Sequence, residues 1–340
     1  MSMESFSPDP VALLERDDEV FSSATEAFSI YSKLSKAVVA VRQNTLRSPI
    51  KCVGTGLHTG RKITLRMEPA PADTGIIFQR TDIPGATAIP ALYDHVVDTR
   101  LSTVIGDLSD KRNRVATIEH LMSALSGKGI HNAYIFLNGP EVPVLDGSSA
   151  DFLFLIDCAG RTPLEASRCE IEILKTIRVE DGDAFTELRP SSATDMPLSM
   201  TIDFPASAIG RQTLDLKFTE TSFRRELAFS RTFTNHREIA ALQAAGLALG
   251  GSLDNAVVVD EEKVLNPTGL RAKDEFVRHK MLDAVGDLFL AGAHIRGSFT
   301  GYKSGHHLNN QLLCALFADS TAWREVKGTG KQASAALQAA

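Results

Sequence analysis

No pair of neighbouring cysteines occurs in this sequence, although cysteine itself is present. Cys52, Cys158, Cys169 and Cys314 stand far apart, and none belongs to a Cys-x-x-Cys motif. Paired thiolates at that spacing are typical of structural zinc sites, and dense cysteines in a short secreted chain are typical of a disulfide framework. The sequence therefore predicts a reduced protein without a cysteine-based metal site.

A basic surface and a membrane span are also missing. The chain has 36 Lys and Arg against 42 Asp and Glu, a formal net charge of −6, and no long basic run. This balance argues against nucleic acid as a partner. No apolar run approaches the ~20 residues that cross a bilayer, and no signal peptide or Arg-rich transit pattern begins the chain. We expect a cytoplasmic protein with no integral membrane segment.

Length and composition favour two domains. At 340 residues, with 43% hydrophobic and 23% charged residues, the composition is that of a globular protein, but the chain is long for one compact core. Residues 1–43 are acidic and rich in Ser, and we expect a disordered extension there with one short helix around residues 11–15. The stretch GTGKQASAALQAA at residues 328–340 is expected to be a flexible tail.

Between these ends the sequence repeats itself. MEPAPADTGIIFQRTDIP (67–84) and LRPSSATDMPLSMTIDFP (188–205) share Pro and Asp-x-Pro at the same separation, and each follows a hairpin-like stretch. The later matches are HNAYIFL (131–137) with DNAVVVD (254–260), TIEHLMSALSGKG with REIAALQAAGLALGG, and DFLFLIDCAG with DAVGDLFLAG. The matching segments occur in the same order in both halves. Duplication of one unit explains this shared order better than chance does. We infer a duplicated α+β unit, with domain I at residues 44–165 and domain II at residues 168–324.

The most informative spacing lies in EFVRHKMLDAVGD (275–287). His279, Asp283 and Asp287 stand four residues apart on a helical pattern, which places their side chains on one face with Cβ atoms roughly 5–6 Å apart. Apolar residues occupy the opposite arc. Such a polar stripe fits either a solvated surface face or a set of metal ligands. The pattern by itself favours the surface, but a second segment supplies the partners that a metal site needs.

That second segment is TIEHLMSALSGK (117–128), a predicted helix closed by glycine. Glu119 and His120 fall outside its apolar arc, where a surface pair is the ordinary explanation. With His279 and Asp283, however, His120 would complete two imidazoles and one carboxylate, and three ligands that leave a position open for water are typical of catalytic zinc. Glu119 is then well placed as the general base for that water. The HExxH signature of metallopeptidases is absent.

A third segment, FTGYKSGHHLNNQLLCAL (299–316), carries two adjacent histidines. We interpret His307 as a surface or capping residue where a loop enters a helix. His306 differs because Asp287, the last member of the polar stripe, needs a partner. A carboxylate orients an imidazole and favours its protonated form. A protonated His306 could stabilise an oxyanion or donate a proton to a leaving amine.

These motifs resemble those of a known family, the zinc-dependent UDP-3-O-acyl-N-acetylglucosamine deacetylases. Members of this family carry out the committed step of lipid A biosynthesis. The matching stretches are VGTGLHTG (53–60), TIEHLMSAL (117–125), GPEVPVLDGSSADF (139–152), SRTF (230–233), LGGSLDNAVVVD (249–260), DEFVRHKMLDAVGDL (274–288) and YKSGHHLNN (302–310). The resemblance runs from about residue 44 to residue 323. Several long motifs in the right order make it highly specific.

The resemblance implies a fold and a metal centre. Members have two similar domains, each a layered β-α-α-β unit, with the helices sandwiched between two sheets. The zinc ligands it implies are His120, His279 and Asp283, with one ion per chain, and Fe(II) could use the same ligands. Glu119 would be the general base. His306, held by Asp287, would be the cationic group that stabilises charge and assists departure of the amine.

The resemblance also implies roles around the substrate. Thr232 would help to stabilise the oxyanion, and Lys280 would face the substrate beside the metal. Phe233 and Ile239 would line the apolar passage for the 3-O-acyl chain, and His58 would lie near the same cleft.

The implied reaction is hydrolysis of the acetamide of UDP-3-O-acyl-N-acetylglucosamine, with release of acetate. Two alternatives stay open: a zinc amidohydrolase of the same fold acting on another N-acyl amino sugar, and a non-catalytic relative that binds a sugar nucleotide or a lipid. Glu119 argues against the second alternative, because a binding module has no need of a base beside an open metal position. The sequence does not determine the preferred acyl-chain length or the oligomeric state, for which a monomer is the simplest expectation.

Overall fold

The computed structural model describes residues 39–330. These residues fall into two compact units. In the first, the short strands β1 (Val39–Ala40) and β23 (Thr329–Gly330) pair in antiparallel orientation. The second unit spans residues 42–328 and contains every element named below. Most of the predicted N-terminal extension, with its short helix, and residues 331–340 of the predicted tail lie outside the described residues.

Two five-stranded sheets share one topology. The first has the order β3 (Ile50–Thr55), β4 (Lys62–Pro69), β10 (Ala133–Leu137), β5 (Ile76–Arg80) and β6 (Ile89–Pro90). The second has the order β13 (Ile177–Asp181), β14 (Ala184–Arg189), β21 (Ser298–Tyr302), β15 (Met196–Asp203) and β16 (Arg211–Phe218). In each sheet the middle strand pairs antiparallel with one neighbour and parallel with the other. This pattern confirms the predicted duplicated α+β fold, while the residue boundaries of the two domains stay a prediction.

The α-helices that pack on one another and on the two large sheets form a layer between those sheets. The α-helices among residues 39–330 are α1 (Glu119–Gly127), α2 (Ala150–Ala159), α3 (Glu220–Ser222), α4 (His236–Ala244), α5 (Glu275–Leu288) and α6 (His306–Ala318). A π-helical turn, Phe223–Leu227, follows α3, and 3₁₀ turns cover Tyr93–His95 and Phe289–Ala291. Helix α1 packs on α5, α2 packs on β3, and α5 and α6 pack on the second sheet. No helix in this part of the chain is long and apolar enough to cross a membrane.

Each half also carries a small three-stranded sheet, which in the chain lies between an edge strand of its large sheet (β6 or β16) and its central helix. In the first half the strands are β7 (Val96–Asp98), β8 (Val104–Gly106) and β9 (Arg114–Val115). In the second half they are β17 (Phe233–Asn235), β18 (Val257–Asp260) and β19 (Lys263–Val264). The remaining strands are β2 (Arg42–Leu46) paired with β11 (Arg161–Ser167), and β12 (Cys169–Ile173) between β20 (His294–Arg296) and β22 (Trp323–Lys327).

Burial follows the residue pattern in the strands but not in α5. Ile63, Leu65 and Met67 alternate with more exposed neighbours along β4, as expected of a strand that buries one face. Helix α5 is buried on nearly every side, because it lies between α1, α6 and the second sheet. Its polar stripe is therefore buried with the rest, and the interpretation of that stripe as a solvated surface face is wrong.

The internal repeat is real, but only its first matches align correctly. The hairpin stretches and the two Asp-x-Pro segments correspond to β3–β4–β5 and β13–β14–β15, as predicted. By topology the partner of β10 is β21, so the match of HNAYIFL with DNAVVVD, which forms β18, is wrong. The central helix α1 likewise corresponds to α5, and α2 corresponds to α6. Short apolar segments resemble one another in many strands, whereas strand pairing is decided by distant hydrogen bonds.

Candidate metal centre and active site

Three of the predicted ligands meet where α1 passes α5. His120 comes from α1, and His279 and Asp283 come from successive turns of α5. One ligand atom from each lies within 4.8 Å of the others, and all three side chains are buried. His120 Nε2 lies 3.4 Å from Asp283 Oδ1, and His279 Nε2 lies 3.4 Å from Asp283 Oδ2. Both imidazoles thus present the same nitrogen to one carboxylate.

A glycine allows the two helices to approach this closely. A Cβ atom added at Gly286 would lie 2.0 Å from the carbonyl oxygen of Glu119, which is far inside van der Waals contact. Helix α1 begins at Glu119, so this contact brings the first turn of α1 against the last turns of α5. The absence of a side chain at position 286 therefore places His120 beside His279 and Asp283.

The donor set fits a metal ion. Asp283 is 2% exposed, and within residues 39–330 its Oδ1 has no hydrogen-bond partner. A buried carboxylate oxygen without a partner is costly, and a cation would compensate that cost. His279 Nδ1 lies 3.3 Å from the carbonyl oxygen of Ser230, which favours the tautomer with a lone pair on Nε2. Burial lowers the pKa of His279 to about 3, which keeps it in the neutral form that binds metals.

Lys280 lies beside the same carboxylate. Its Nζ donates to Asp283 Oδ2 at 2.9 Å. Burial by itself would lower the pKa of Lys280, but the carboxylates of Asp283, Asp287 and Glu119 together outweigh this effect and raise it. Burial would raise the pKa of Asp283, but His279 and Lys280 hold it well below its usual range. The ammonium group therefore keeps Asp283 ionised and lies next to the candidate metal centre.

Glu119 adjoins the ligand His120 and is also buried. Its Oε2 accepts a hydrogen bond of 3.0 Å from the backbone N–H of Thr103. Burial raises the pKa of the Glu119 carboxyl above its ordinary value, although His306 and His120 act in the opposite sense. A raised pKa strengthens the carboxylate as a proton acceptor.

The predicted partnership of His306 and Asp287 is present. His306 Nδ1 lies 2.9 Å from Asp287 Oδ2, which also accepts from Asn309 Nδ2 at 2.9 Å. Burial by itself lowers the pKa of His306, but the Asp287 carboxylate outweighs it, and the pKa rises to about 9. With Nδ1 engaged by Asp287, Nε2 is the nitrogen available to another group.

Two residues of this cluster escaped the sequence reasoning. Thr103, which immediately precedes β8, donates to both Glu119 and Asp287. Asn309, on the first turn of α6, supports Asp287. Asn309 lies three residues after His306 in YKSGHHLNN, and this helical spacing is a sequence signal for an amide near the same carboxylate. Thr103 lies in the ordinary strand-like stretch LSTVIG, which carries no chemical signal.

An apolar cavity of about 400 Å³ adjoins the cluster. Its lining includes four of the five residues predicted around the substrate, Thr232, Phe233, Ile239 and His58, but not Lys280. The ring of Phe233 lies 5.7 Å from the ring of His279, centroid to centroid, so one residue of the cavity wall packs against a candidate metal ligand. Pockets of this size and apolar character are typical of small-molecule sites.

His58 is held by its main chain rather than by its ring. Its backbone N–H donates to Glu141 Oε1 at 2.8 Å. Neither ring nitrogen has a hydrogen-bond partner in the described part of the chain, and burial lowers the pKa of the imidazole despite the nearby Glu141. A neutral imidazole with both nitrogens unengaged therefore borders the cavity.

Comparison with known proteins gives one consistent result. The sequence model of the LpxC family, described as UDP-3-O-acyl N-acetylglycosamine deacetylase, matches residues 43–318. The chain is 50% identical over 286 residues to the UDP-3-O-acyl-N-acetylglucosamine deacetylase of Acidithiobacillus ferrooxidans, covering 84% of this chain and 93% of the relative. It is 46% identical over 288 residues to the protein of the same name from Methylococcus capsulatus, with coverage of 84% and 93%. It is also 46% identical over 284 residues to that of Shewanella frigidimarina, with coverage of 84% and 92%.

Proposed function

The chain belongs to the family of UDP-3-O-acyl-N-acetylglucosamine deacetylases, and from this premise we propose that it hydrolyses the acetamide of UDP-3-O-acyl-N-acetylglucosamine with the help of one zinc ion. Acetate and the free sugar amine are the products, and the reaction is the committed step of lipid A biosynthesis. We propose the cytoplasm as its location. The observation that carries the proposal is the cluster of three buried candidate ligands with Glu119 and the partly buried His306, beside an apolar cavity.

His120, His279 and Asp283 would hold the metal. Two imidazoles and one carboxylate form a common ligand set of catalytic zinc, and Fe(II) accepts the same donors. When bound, the metal polarises the amide carbonyl and lowers the pKa of a bound water. The unpartnered Oδ1 of Asp283 supports this assignment.

Glu119 would remove the proton from the attacking water. The Thr103 N–H holds Oε2, so Oε1 can accept the proton while the carboxylate keeps its orientation. The pKa of Glu119, raised by burial, makes this transfer easier than for an exposed glutamate. The water oxygen then bonds to the acetyl carbon, and the carbonyl oxygen takes up negative charge.

His306 would act on the other side of the reaction. A pKa of about 9, maintained by Asp287, keeps the imidazole protonated at neutral pH. Its Nε2–H can stabilise the developing charge or protonate the amine nitrogen as the C–N bond breaks. Thr232 would add a hydroxyl donor to the oxyanion, and a donor of this kind contributes about 2.7–4 kcal/mol in the transition state. Lys280 would contact the substrate beside the metal.

The cavity would receive the 3-O-acyl chain. Phe233 and Ile239 lie in its wall, and Phe233 also contacts the ring of His279. This continuity supports a substrate whose acyl chain and acetamide are bound at the same time. His58, with both ring nitrogens unengaged, would border the sugar or the start of the chain.

Acetate release from UDP-3-O-acyl-N-acetylglucosamine by purified protein tests the proposal. Activity that disappears with a chelator and returns with zinc supports both substrate and metal. A matched substrate without the 3-O-acyl chain should turn over far more slowly, because the cavity contributes no binding energy to it. Equal turnover of both substrates would favour an amidohydrolase for another N-acyl amino sugar. Absence of release by the folded, zinc-loaded protein would reject the deacetylase proposal.

A further inference from the structure

Thr103 lies at the junction of the catalytic groups and is 1% exposed. Its backbone N–H donates to Glu119 Oε2 at 3.0 Å, and its hydroxyl donates to Asp287 Oδ1 at 2.6 Å. Its carbonyl oxygen accepts from the N–H of Ile118 at 3.4 Å. One residue therefore contacts the proposed base, the acid that orients His306, and the residue that precedes α1.

The two carboxylates that Thr103 joins come from different halves of the chain. Glu119 begins α1, and Asp287 lies near the end of α5. Two buried carboxylates at one helix crossing repel each other, and each needs donors of its own. The N–H and O–H of Thr103 belong to the same residue, so the two hydrogen bonds also fix the carboxylates relative to one another.

The chain around Thr103 holds it firmly. Val104 begins β8 and pairs with Asp98 of β7, while Ile105 pairs with Val115 of β9. On the other side, Leu101 adopts a φ of +65° and lines the apolar cavity. A leucine in the left-handed region is uncommon and persists where the surroundings determine it. Thr103 therefore lies between a paired strand, which begins at the next residue, and the cavity wall, which is two residues before it.

Resting on the deacetylase function proposed above, we infer that Thr103 is a positioning residue of the active site. Its hydroxyl sets the orientation of Asp287, and through it of His306, relative to the Glu119 carboxylate held by its N–H. Both groups must act on one bound amide: Glu119 takes a proton from water, and His306 acts on the oxyanion or amine. Correct spacing of the two therefore affects the chemical step more than substrate binding.

Two substitutions at this position distinguish the effect of the hydroxyl from the effect of the rest of the side chain. Thr103→Val keeps the shape and the backbone N–H but loses the O–H, whereas Thr103→Ser keeps the O–H and loses only the methyl group. Thr45→Val is the matched control. Thr45 is 3% exposed, and its hydroxyl donates to the Asn132 carbonyl oxygen at 2.8 Å and accepts from the Ala70 N–H at 2.9 Å. Neither of these two hydrogen bonds involves a catalytic group.

We expect Thr103→Val to lower kcat by about 10–100-fold, as supporting hydrogen bonds of catalytic groups typically do. KM and zinc content should stay near the wild-type values, and Thr103→Ser should restore most of kcat. Thr45→Val should lose stability without a comparable fall in kcat. If valine prevents folding, the pair Thr103→Ser and Thr103→Ala makes the same comparison of a hydroxyl with its absence.

Three results would overturn the inference. Wild-type kcat in Thr103→Val, or a fall no larger than in Thr45→Val, would leave Thr103 with a structural role only. A change confined to KM or zinc content would assign it to binding. If the wild-type protein itself released no acetate, the inference would fall together with the proposed function, whereas activity of the wild type with an unaffected variant rejects the inference alone.

Discussion

His306 Nδ1 lies 2.9 Å from Asp287 Oδ2, and this contact joins the end of α5 to the loop-to-helix junction that carries two histidines. The carboxylate fixes which imidazole nitrogen is engaged and raises the pKa of the ring to about 9 against the opposing effect of burial. A cationic group can therefore persist in a buried site at neutral pH. Asp287 in turn accepts hydrogen bonds from Thr103 and Asn309, which hold the carboxylate that engages His306.

The substitution Asp287→Asn should move the alkaline limit of activity to lower pH. In the wild type, His306 loses its proton as pH rises through about 9, and activity that needs the cation declines there. The asparagine amide would keep the shape but remove the negative charge, and burial alone lowers a histidine pKa below its ordinary ~6.5. The kcat/KM profile from mildly acidic to alkaline pH measures the shift. An unchanged alkaline limb would contradict the assignment of that limb to His306.

His306 and His307 provide a matched pair of neighbouring substitutions. His306→Ala should lower kcat by about 10²–10⁴-fold, the usual contribution of a general acid or base. His307 is exposed, with its Nδ1 3.4 Å from Thr99 Oγ1, and His307→Ala should stay close to wild-type activity. Steady-state acetate release by both variants decides the matter. Similar losses in the two variants would mean that the fold, rather than His306, had been disturbed.

Glu119→Gln should separate catalysis from metal binding. Gln can still accept the Thr103 N–H bond but cannot take a proton from water, so kcat should fall by about 10²–10⁴-fold. Zinc content, measured by elemental analysis, should stay near one per chain. Asp283→Ala serves as the contrasting variant, because it should lose zinc as well as activity. Loss of zinc in Glu119→Gln would instead make Glu119 a ligand.

Gly286→Ala tests the close crossing of α1 and α5. The added Cβ would meet the Glu119 carbonyl oxygen at 2.0 Å, so the helices must separate. We expect a loss of about 1–3 kcal/mol in the free energy of unfolding, as in other overpacked cores. Activity should fall further than stability alone explains, since Glu119 and His120 would shift. Urea unfolding and kcat measured on one preparation give both quantities, and wild-type values of both would refute the crossing geometry.

A histidine outside the active site should make stability depend on pH. Burial, with Arg168 and Arg161 nearby, lowers the pKa of His131 from 6.5 to about 4. Because the folded-state pKa is depressed, this histidine favours folding above pH 6.5 and the contribution is lost as pH falls toward 4. The full difference is on the order of 3 kcal/mol.

Urea unfolding at neutral and acidic pH measures this effect. His131→Asn is the informative variant, because the amide oxygen can replace Nδ1 as acceptor of the Asn44 N–H without titrating. Its free energy of unfolding should depend less steeply on pH than that of the wild type. The same slope in both proteins would assign the acid sensitivity to other groups.

Much of the candidate site could be predicted because its signals are local. The i, i+4 spacing of His279, Asp283 and Asp287 survives in α5, since helical geometry fixes which side chains share a face. The pairing of His306 with Asp287 required only one missing partner to be identified. The hairpins of the two halves were likewise found from turn residues and strand patterns.

Other features depended on contacts that no local pattern records. In sequence the polar stripe on α5 resembles a surface face, and only the fold shows that α1 covers it. The need for glycine at position 286 likewise becomes visible only when the Glu119 carbonyl oxygen lies against it. Thr103 resembles any threonine of a short strand until folding places it between Glu119 and Asp287. The later repeat matches failed for the same reason, because the composition of a short helix or strand does not specify which element it packs against.

The sequence by itself determined the residue types, their helical spacing and the resemblance to a deacetylase family. These follow from short-range geometry and from motifs that are contiguous in the chain. Only the tertiary structure decided which helix faces meet, which carboxylate oxygen lacks a partner, and which backbone N–H orients the base. Those properties arise from contacts outside any one helix or strand, many of them between residues far apart in the chain, such as Thr103 and Asp287. Such packing is specified by the whole core rather than by any one segment.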